Sequence, residues 1–280
     1  MSRIAWRRAF GALVFLGPGI ATAGEAQTRG DVVLATTTSV RDAGLLEHLL
    51  PAFERMTGIT VRVLAVGSGQ AMALGRRGEA DVLILHDPAG EEAFMAEGFG
   101  VERYPLMHNY FALVGPRADP AGAREAGGVL EVLARVAQVG ALFVSRGDGS
   151  GTHVKELELW RGGGIEPGLA WYRETGQGMS ATLQVAHELG AYTITDVASF
   201  WTHDTPLDLA VLIDDDPALY NPYHIVLPNA ERFPWVNRDG GLALAAYLRS
   251  REAQTAIGAF RAADGRGLFV PDAAPASGRL

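Results

Sequence analysis

The sequence predicts an α/β protein of two lobes, each a parallel-dominated sheet with helices on both faces, joined by crossover strands. Three observations carry this expectation. Apolar, β-branched runs alternate with stretches of helical periodicity from residue 31 onward. A Pro/Gly/Ala-rich stretch, Gly115 to Gly128, interrupts the alternation, and a second αβ unit opens beyond it. A late apolar segment, Asn221 to Leu227, offers a second crossover back to the first unit. Strands separated by helices run parallel, because the helix returns the chain to the starting edge of the sheet. The expected division is 31–113 with 222–280 for lobe one and 114–221 for lobe two, both Rossmann-like.

Asp31 to Thr37 (DVVLATT) is a buried strand after a polar lead-in. Arg41 to Met56 sets Leu45, Leu46, Leu49, Leu50 and Phe53 at helical spacing, so it is an amphipathic helix. Ile59 to Val66 is a β-branched strand closed by Gly67-Ser68-Gly69, followed by a helix from about Gln70 to Arg77 and a strand over Asp81–Leu85. Tyr110–Val114 is a strand that leads into the Pro/Gly/Ala-rich stretch. The second unit opens with a helix over Val129–Val139 and a strand over Ala141–Val144, with helices near 151–161 and 179–190 and a short strand over Tyr192–Thr195. Trp160, Trp171 and Tyr172 are expected in its core. Leu209–Ile213 is a strand, and Asp214-Asp215-Asp216 after it reads as a solvated turn, since no metal-ligand set surrounds it. The end, Gly241 to Phe260, is helical.

The 280 residues are 48% hydrophobic and 20% charged, enough for an ample core. A net charge of −8 argues against nucleic acid or an anionic membrane surface as the main partner. The N-terminus has the pattern of an export signal: Arg3, Arg7 and Arg8, an apolar run from Phe10 to Ile20, and the small-x-small site Ala21-Thr22-Ala23. Residues 1–23 are therefore expected to be a signal peptide, cleaved after Ala23 or, alternatively, after Ala26, with the mature chain in the periplasm. The apolar run is shorter than the ~20 residues of a membrane span. Arg7-Arg8 is compatible with both general and twin-arginine export. With no cysteine, the chain folds without disulfides and cannot carry a lipid on an N-terminal cysteine.

Three strand-to-helix corners share one chemistry: Thr36-Thr37-Thr38-Ser39, Gly67-Ser68-Gly69, and Ser145-Arg146-Gly147-Asp148-Gly149-Ser150-Gly151-Thr152. In open α/β sheets, ligands sit at the carboxyl ends of strands, where such corners converge. Each corner offers hydroxyls and backbone N–H groups at a helix start, and the third adds a permanently charged guanidinium. A fully ionised oxyanion accepts hydrogen bonds and donates none, so an all-donor site suits it. Taken singly, each of these hydroxyls reads first as a helix cap; three such corners in one chain point to a shared ligand. Asp148 is expected either to pair with Arg146 or to cap the following helix, and the pairing is preferred because it keeps the carboxylate off an anion.

These three corners, followed by Glu174-Thr175-Gly176-Gln177-Gly178-Met179 and Ala191-Tyr192-Thr193-Ile194-Thr195-Asp196, resemble the tungstate-binding periplasmic proteins of ABC transporters, in order along nearly the whole mature chain. The Arg-x-Asp-Gly-Ser-Gly-Thr core also resembles periplasmic phosphate-binding proteins. The resemblance implies a type II periplasmic binding fold closing over its ligand, with no cofactor. It implies ligand roles for Thr37, Thr38, Ser39, Ser68, Arg146, Ser150, Gly151 and Thr152, with backbone donors from Gly178 and Met179. The implied partners are a small inorganic oxyanion and an ABC permease at the inner membrane, with the protein acting as a monomer.

Two departures bear on the ligand. The family usually has arginine after Thr-Asp in the Ala-Tyr-Thr strand, where this chain has Val197. Asp87, after the strand ending at Leu85, would favour a protonated phosphate if it entered the cleft, and says nothing about ligand if it caps the helix starting at Pro88. Tungstate and molybdate carry no proton near neutral pH, whereas phosphate needs an acceptor, and a buried unmatched polar group costs about 1–3 kcal/mol. The alternatives are a phosphate- or molybdate-binding protein of the same fold, a periplasmic oxyanion sensor, and an enzyme. Gly147-x-Gly149-x-Gly151 is a weak dinucleotide fingerprint, no G-x-S-x-G or H-E-x-x-H occurs, and no catalytic or metal-ligating residue is assigned. His86 and His153 flank the expected cleft, as satisfied helix-end histidines or as cleft-lining groups.

Overall fold

The computed structural model describes residues 30–273; the expected signal peptide and its cleavage site lie outside the described residues. The first half runs β1 (Val32–Thr37), α1 (Thr38–Asp42), α2 (Leu45–Thr57), β2 (Val61–Val66), α3 (Ser68–Arg76), β3 (Val82–Leu85), α4 (Pro88–Ala96) and β4 (Gly100–Pro116). Next come α5 (Val129–Val139), β5 (Phe143–Ser145), α6 (Gly151–Gly162), β6 (Tyr172–Glu174), α7 (Met179–Leu189), β7 (Thr193–Asp196), α8 (Val197–Trp201) and β8 (Leu209–Ile213). The chain ends with β9 (Tyr220–Pro228), α9 (Arg238–Leu248), α10 (Arg251–Ala259) and β10 (Val270–Pro271).

Two expected helices are each broken in two. Gly44 at φ 79° is left-handed and separates α1 from α2, a conformation that glycine adopts without a Cβ clash. Ser250 separates α9 from α10; its hydroxyl accepts the Ala253 N–H and caps the second helix. The helix α3 starts at Ser68, two residues before Gln70.

The strand order is β10-β4-β9-β3-β1-β2, with β7 and β8 also pairing β4. Parallel pairing joins β1 to β2 and β3, and β5 to β6. β4 and β9 are antiparallel to every neighbour, so the sheets are mixed and parallel pairs do not dominate; the reason is that both long strands run back through the molecule. β4 carries the connection between the units. From Gly100 to Tyr110 it pairs β9, and from Phe111 to Val114 it pairs β7. One apolar core, including Leu34, Phe53, Ile84, Tyr223 and Leu248, lies under α2, α9 and α10. A second core gathers Phe111, Leu133, Phe143, Trp160 and Tyr192, with Trp171 and Tyr172 packed against it. Asp216 sits in a turn, where it accepts the N–H groups of Ala218 and Val129.

Candidate oxyanion site

Parallel pairing of β1 and β2 sets Thr37 opposite Val66, so the first two corners leave the sheet side by side. Thr37 and Ser39 are buried and share a hydroxyl–hydroxyl hydrogen bond of 2.9 Å. Thr38 between them is half-buried. At the second corner Ser68 opens α3, is fully buried, and its Oγ has no hydrogen-bond partner.

The third corner needs two left-handed residues, Gly147 at φ 62° and Gly149 at φ 68°; at Gly147 a Cβ would also stand 2.7 Å from that of Glu174. Arg146 is buried, with Nη2 donating to Asp148 Oδ2 at 2.5 Å and Nε left without a partner. Asp148 also accepts the Ser150 N–H at 3.1 Å. Burial pushes this carboxyl up, but the hydrogen bonds from Ser150 and the Arg146 charge outweigh it and hold Asp148 below the usual carboxylate range. The carboxylate therefore fixes the guanidinium plane, the preferred alternative. Ser150 is the α6 cap, its hydroxyl oxygen accepting the His153 N–H at 3.3 Å. Thr152 Oγ1 is buried and unpartnered.

The corners of the two units face each other. A Cβ on Gly67 would lie 3.7 Å from Ser150 Cα, and one on Gly69 would lie 3.4 Å from the Gly149 carbonyl. Gly151 lies against the His86 ring. Three buried, unsatisfied groups that can donate, Ser68 Oγ, Arg146 Nε and Thr152 Oγ1, thus sit on corners that meet, with a fourth, His153 Nε2, next to Thr152. A buried polar group without a partner costs about 1–3 kcal/mol, so this arrangement stores a demand for acceptors.

Gly178 and Met179 join this group less directly. The Thr175 and Gly176 N–H groups donate to the Ser145 and Arg146 carbonyls, which rests the segment before α7 on the arginine corner. The Met179 side chain is in the core, so only backbone is offered there. Farther along, Ser180 faces α1 across a cavity of about 340 Å³ that also touches Arg41, Ser199 and His203.

Asp87 caps α4: its Oδ1 accepts the Gly90 N–H at 3.1 Å, and its own N–H donates to Glu91. Val197 is the half-buried first residue of α8 and packs against the apolar cluster under α7. Beneath the corners lies a buried polar chain that the motif reading does not contain. His86 Nδ1 meets Asn221 Oδ1 at 2.9 Å, Asn221 donates to Asn109 Oδ1 at 2.7 Å and to the Tyr223 hydroxyl at 3.1 Å, and Asn109 donates to Asp196 at 3.4 Å. Asn109 and Asn221 lie within the crossover strands β4 and β9, and an amide on a strand that runs into the core is the signal that marks them. Among the described residues no group of three or more His, Asp or Glu side chains is placed to hold a metal ion.

Comparison with known proteins agrees with this architecture. A family model described as a PBP superfamily domain matches residues 21–252. The chain is 41% identical over 251 residues to a protein named tungstate-binding protein TupA from Peptoclostridium acidaminophilum, covering 89% of this chain and 88% of that one. Among solved structures it resembles the tungstate ABC transporter protein from Geobacter sulfurreducens, with a TM-score of 0.75, 43% identity, and 81% and 97% of the two chains covered. It also resembles the tungstate-binding protein TupA from Desulfovibrio alaskensis G20, with a TM-score of 0.74, 40% identity, and 88% and 100% covered. The family match spans most of the chain, and the strand-to-helix corners fall within it: this protein belongs to the PBP superfamily.

Proposed function

We propose that this protein captures tungstate and delivers it to the permease of an ABC importer, acting as a monomeric binding protein without catalysis. The observation that carries this reading is the set of unsatisfied buried groups Ser68 Oγ, Arg146 Nε and Thr152 Oγ1 on opposing corners, with Asp148 and Asp87 engaged by other donors. Asp148 is engaged by Arg146 and Ser150, and Asp87 by the α4 backbone. A site whose corners offer donors and whose Asp148 and Asp87 carboxylates are already engaged favours an anion that need not give a proton to a carboxylate, which supports tungstate or molybdate over phosphate. The names of the relatives at 40–43% identity support tungstate between those two.

On this reading Thr37, Thr38, Ser39 and Ser68 contribute from lobe one. Arg146, Ser150, Gly151 and Thr152 contribute from lobe two, with the backbone of Gly178 and Met179 beside them. The lobes are residues 31–113 with 222–280, and 114–221. Ligand contacts from both would favour the closed state, and the permease would read closure. The chain is exported to the periplasm, its signal peptide cleaved near Ala23. Among the described residues no helix is long and apolar enough to cross a membrane. Calorimetric titration with tungstate, molybdate, sulfate and phosphate tests this. Tight tungstate binding without a phosphate signal is expected, and a preference for phosphate would overturn the tungstate reading.

A further inference from the structure

The buried chain below the corners has a fixed polarity. Asp196 accepts from the Ser199 N–H at 3.0 Å, the Ser199 hydroxyl at 2.6 Å and the Asn109 amide at 3.4 Å. The Asn109 carbonyl therefore turns to Asn221 Nδ2, the Asn221 carbonyl turns to His86, and His86 Nδ1 must donate. A neutral imidazole with its proton on Nδ1 carries its lone pair on Nε2, and Nε2 is on the Gly151 side, 3.0 Å from where a Cβ of that residue would stand. The ring stacks on Tyr223 at 4.8 Å and is buried. Burial holds the imidazole below its usual range, against the opposing effects of the Asn221 hydrogen bond and the Asp196 charge.

The charges around this ring leave no surplus for an anion. Arg146 is paired with Asp148 at 2.5 Å. Glu91 is matched by Arg103 at 2.8 Å and faces His224 at 2.9 Å. Asp196 has no cationic partner among the described residues. The Tyr223 phenol is kept neutral by burial. A tetrahedral dianion would add two negative charges here, and helix N-termini offset only partial charge. His153 offers no free lone pair, because its Nδ1 already accepts the Gly149 N–H at 3.0 Å and its Nε2 is left as a donor. The free lone pair beside the third corner is that of His86 Nε2.

We infer that the closed cleft binds its oxyanion together with one proton, carried on Nε2 of His86 at the Gly151 face of the site. This rests on the oxyanion reading above and names the residue that completes its charge balance. The proton comes from solvent: one O–H or N–H bond of hydronium or a buffer acid breaks, one N–H bond forms on the Nε2 lone pair, and an acceptor beside Gly151 becomes a donor. By linkage, affinity should fall as pH rises, by up to about tenfold per pH unit between the pKa of the free protein and that of the complex. An oxyanion that arrives already protonated, such as hydrogenphosphate, needs no such uptake.

The test is titration of the purified protein with sodium tungstate at about pH 7.5 in Pipes, Hepes and Tris, because the heat then varies with buffer ionisation in proportion to the protons taken up. Uptake approaching one proton is expected for the unaltered protein. For His86→Gln, uptake near zero, affinity at least tenfold weaker and a flat pH profile are expected, with thermal unfolding checking that the variant is folded. Tight tungstate binding without proton uptake at any pH from about 6 to 8.5, or full uptake retained in His86→Gln, would overturn the inference. If the unaltered protein does not bind tungstate at all, the oxyanion reading itself fails, a result distinct from binding without a proton.

Discussion

Replacing Gly151 by alanine should weaken tungstate binding while leaving the unliganded protein nearly as stable as before. Gly151 is the first residue of α6 and its φ is not left-handed, so alanine fits the local backbone and keeps the N–H. The difficulty lies across the cleft. The added Cβ would stand 2.9 Å from His86 Cε1, 3.0 Å from Nε2 and 3.0 Å from the His86 carbonyl oxygen. Ordinary carbon contacts are about 3.5–4.0 Å, so roughly 0.5–1 Å must be recovered. The carbonyl is backbone and cannot swing aside, so the two units must stand farther apart. Overpacking of this kind costs about 1–3 kcal/mol, or about 5- to 150-fold in affinity. On the proposed closure, the cost falls on the closed arrangement. Calorimetry with tungstate, paired with thermal unfolding without it, separates the two states. Unchanged affinity would refute the cross-cleft contact; a loss of unliganded stability as large as the loss of affinity would refute its restriction to closure.

Arg146→Ala should weaken tungstate binding at least tenfold by calorimetry and Ser68→Ala by less, because the first removes a charged donor and the second a neutral one; the reverse order would misplace the charge contact. Glu156→Gln should raise the melting temperature at pH 8 and leave it nearly unchanged at pH 4. Burial raises the Glu156 carboxyl to about 7 against hydrogen bonds from Tyr172, Ser145 and Trp160, so the native state keeps a proton that the unfolded chain loses above its ordinary 4.5. Stability therefore falls as pH rises between those two values, by up to about 3 kcal/mol, and equal melting shifts at both pH values would contradict this. Asp87→Asn should alter tungstate affinity less than twofold, since asparagine caps a helix as well as aspartate does; a large gain would mean that the carboxylate reaches the cleft.

The alternation of strands and helices was readable because its periodicities are written in the side chains. The length of β4 was not. Glu102, Arg103 and Pro105 obscure its first half, and Pro105 is tolerated because the register with β9 shifts between Pro105 and Met107. The break at Gly44 was hidden because the leucines after it keep helical spacing. In the site, Ser150 and Ser68 look alike in sequence, yet one hydroxyl caps α6 and the other has no partner; only the packing around each distinguishes them. The pairing of Asp148 with Arg146 was legible, since two residues on a tight glycine loop have few other partners. The Asn109–Asn221 link joins residues 112 positions apart, and no local pattern carries such a contact.

The order of strands in the larger sheet also sets the order in which the molecule can be completed. β9 lies between β3 and β4, yet it is made after everything in the second unit. Residues from Phe111 to Leu219 form one contiguous stretch that can gather its core as soon as it is available. The first unit must wait with a gap in the middle of its sheet, its β3 and β4 edges unpaired, until Tyr220–Pro228 arrives. Long-range strand pairing of this kind folds slowly and leaves sticky edges exposed in the interval. The vulnerable period in the life of this protein is thus its assembly, and substitutions in β9 should be felt first as lost yield during production.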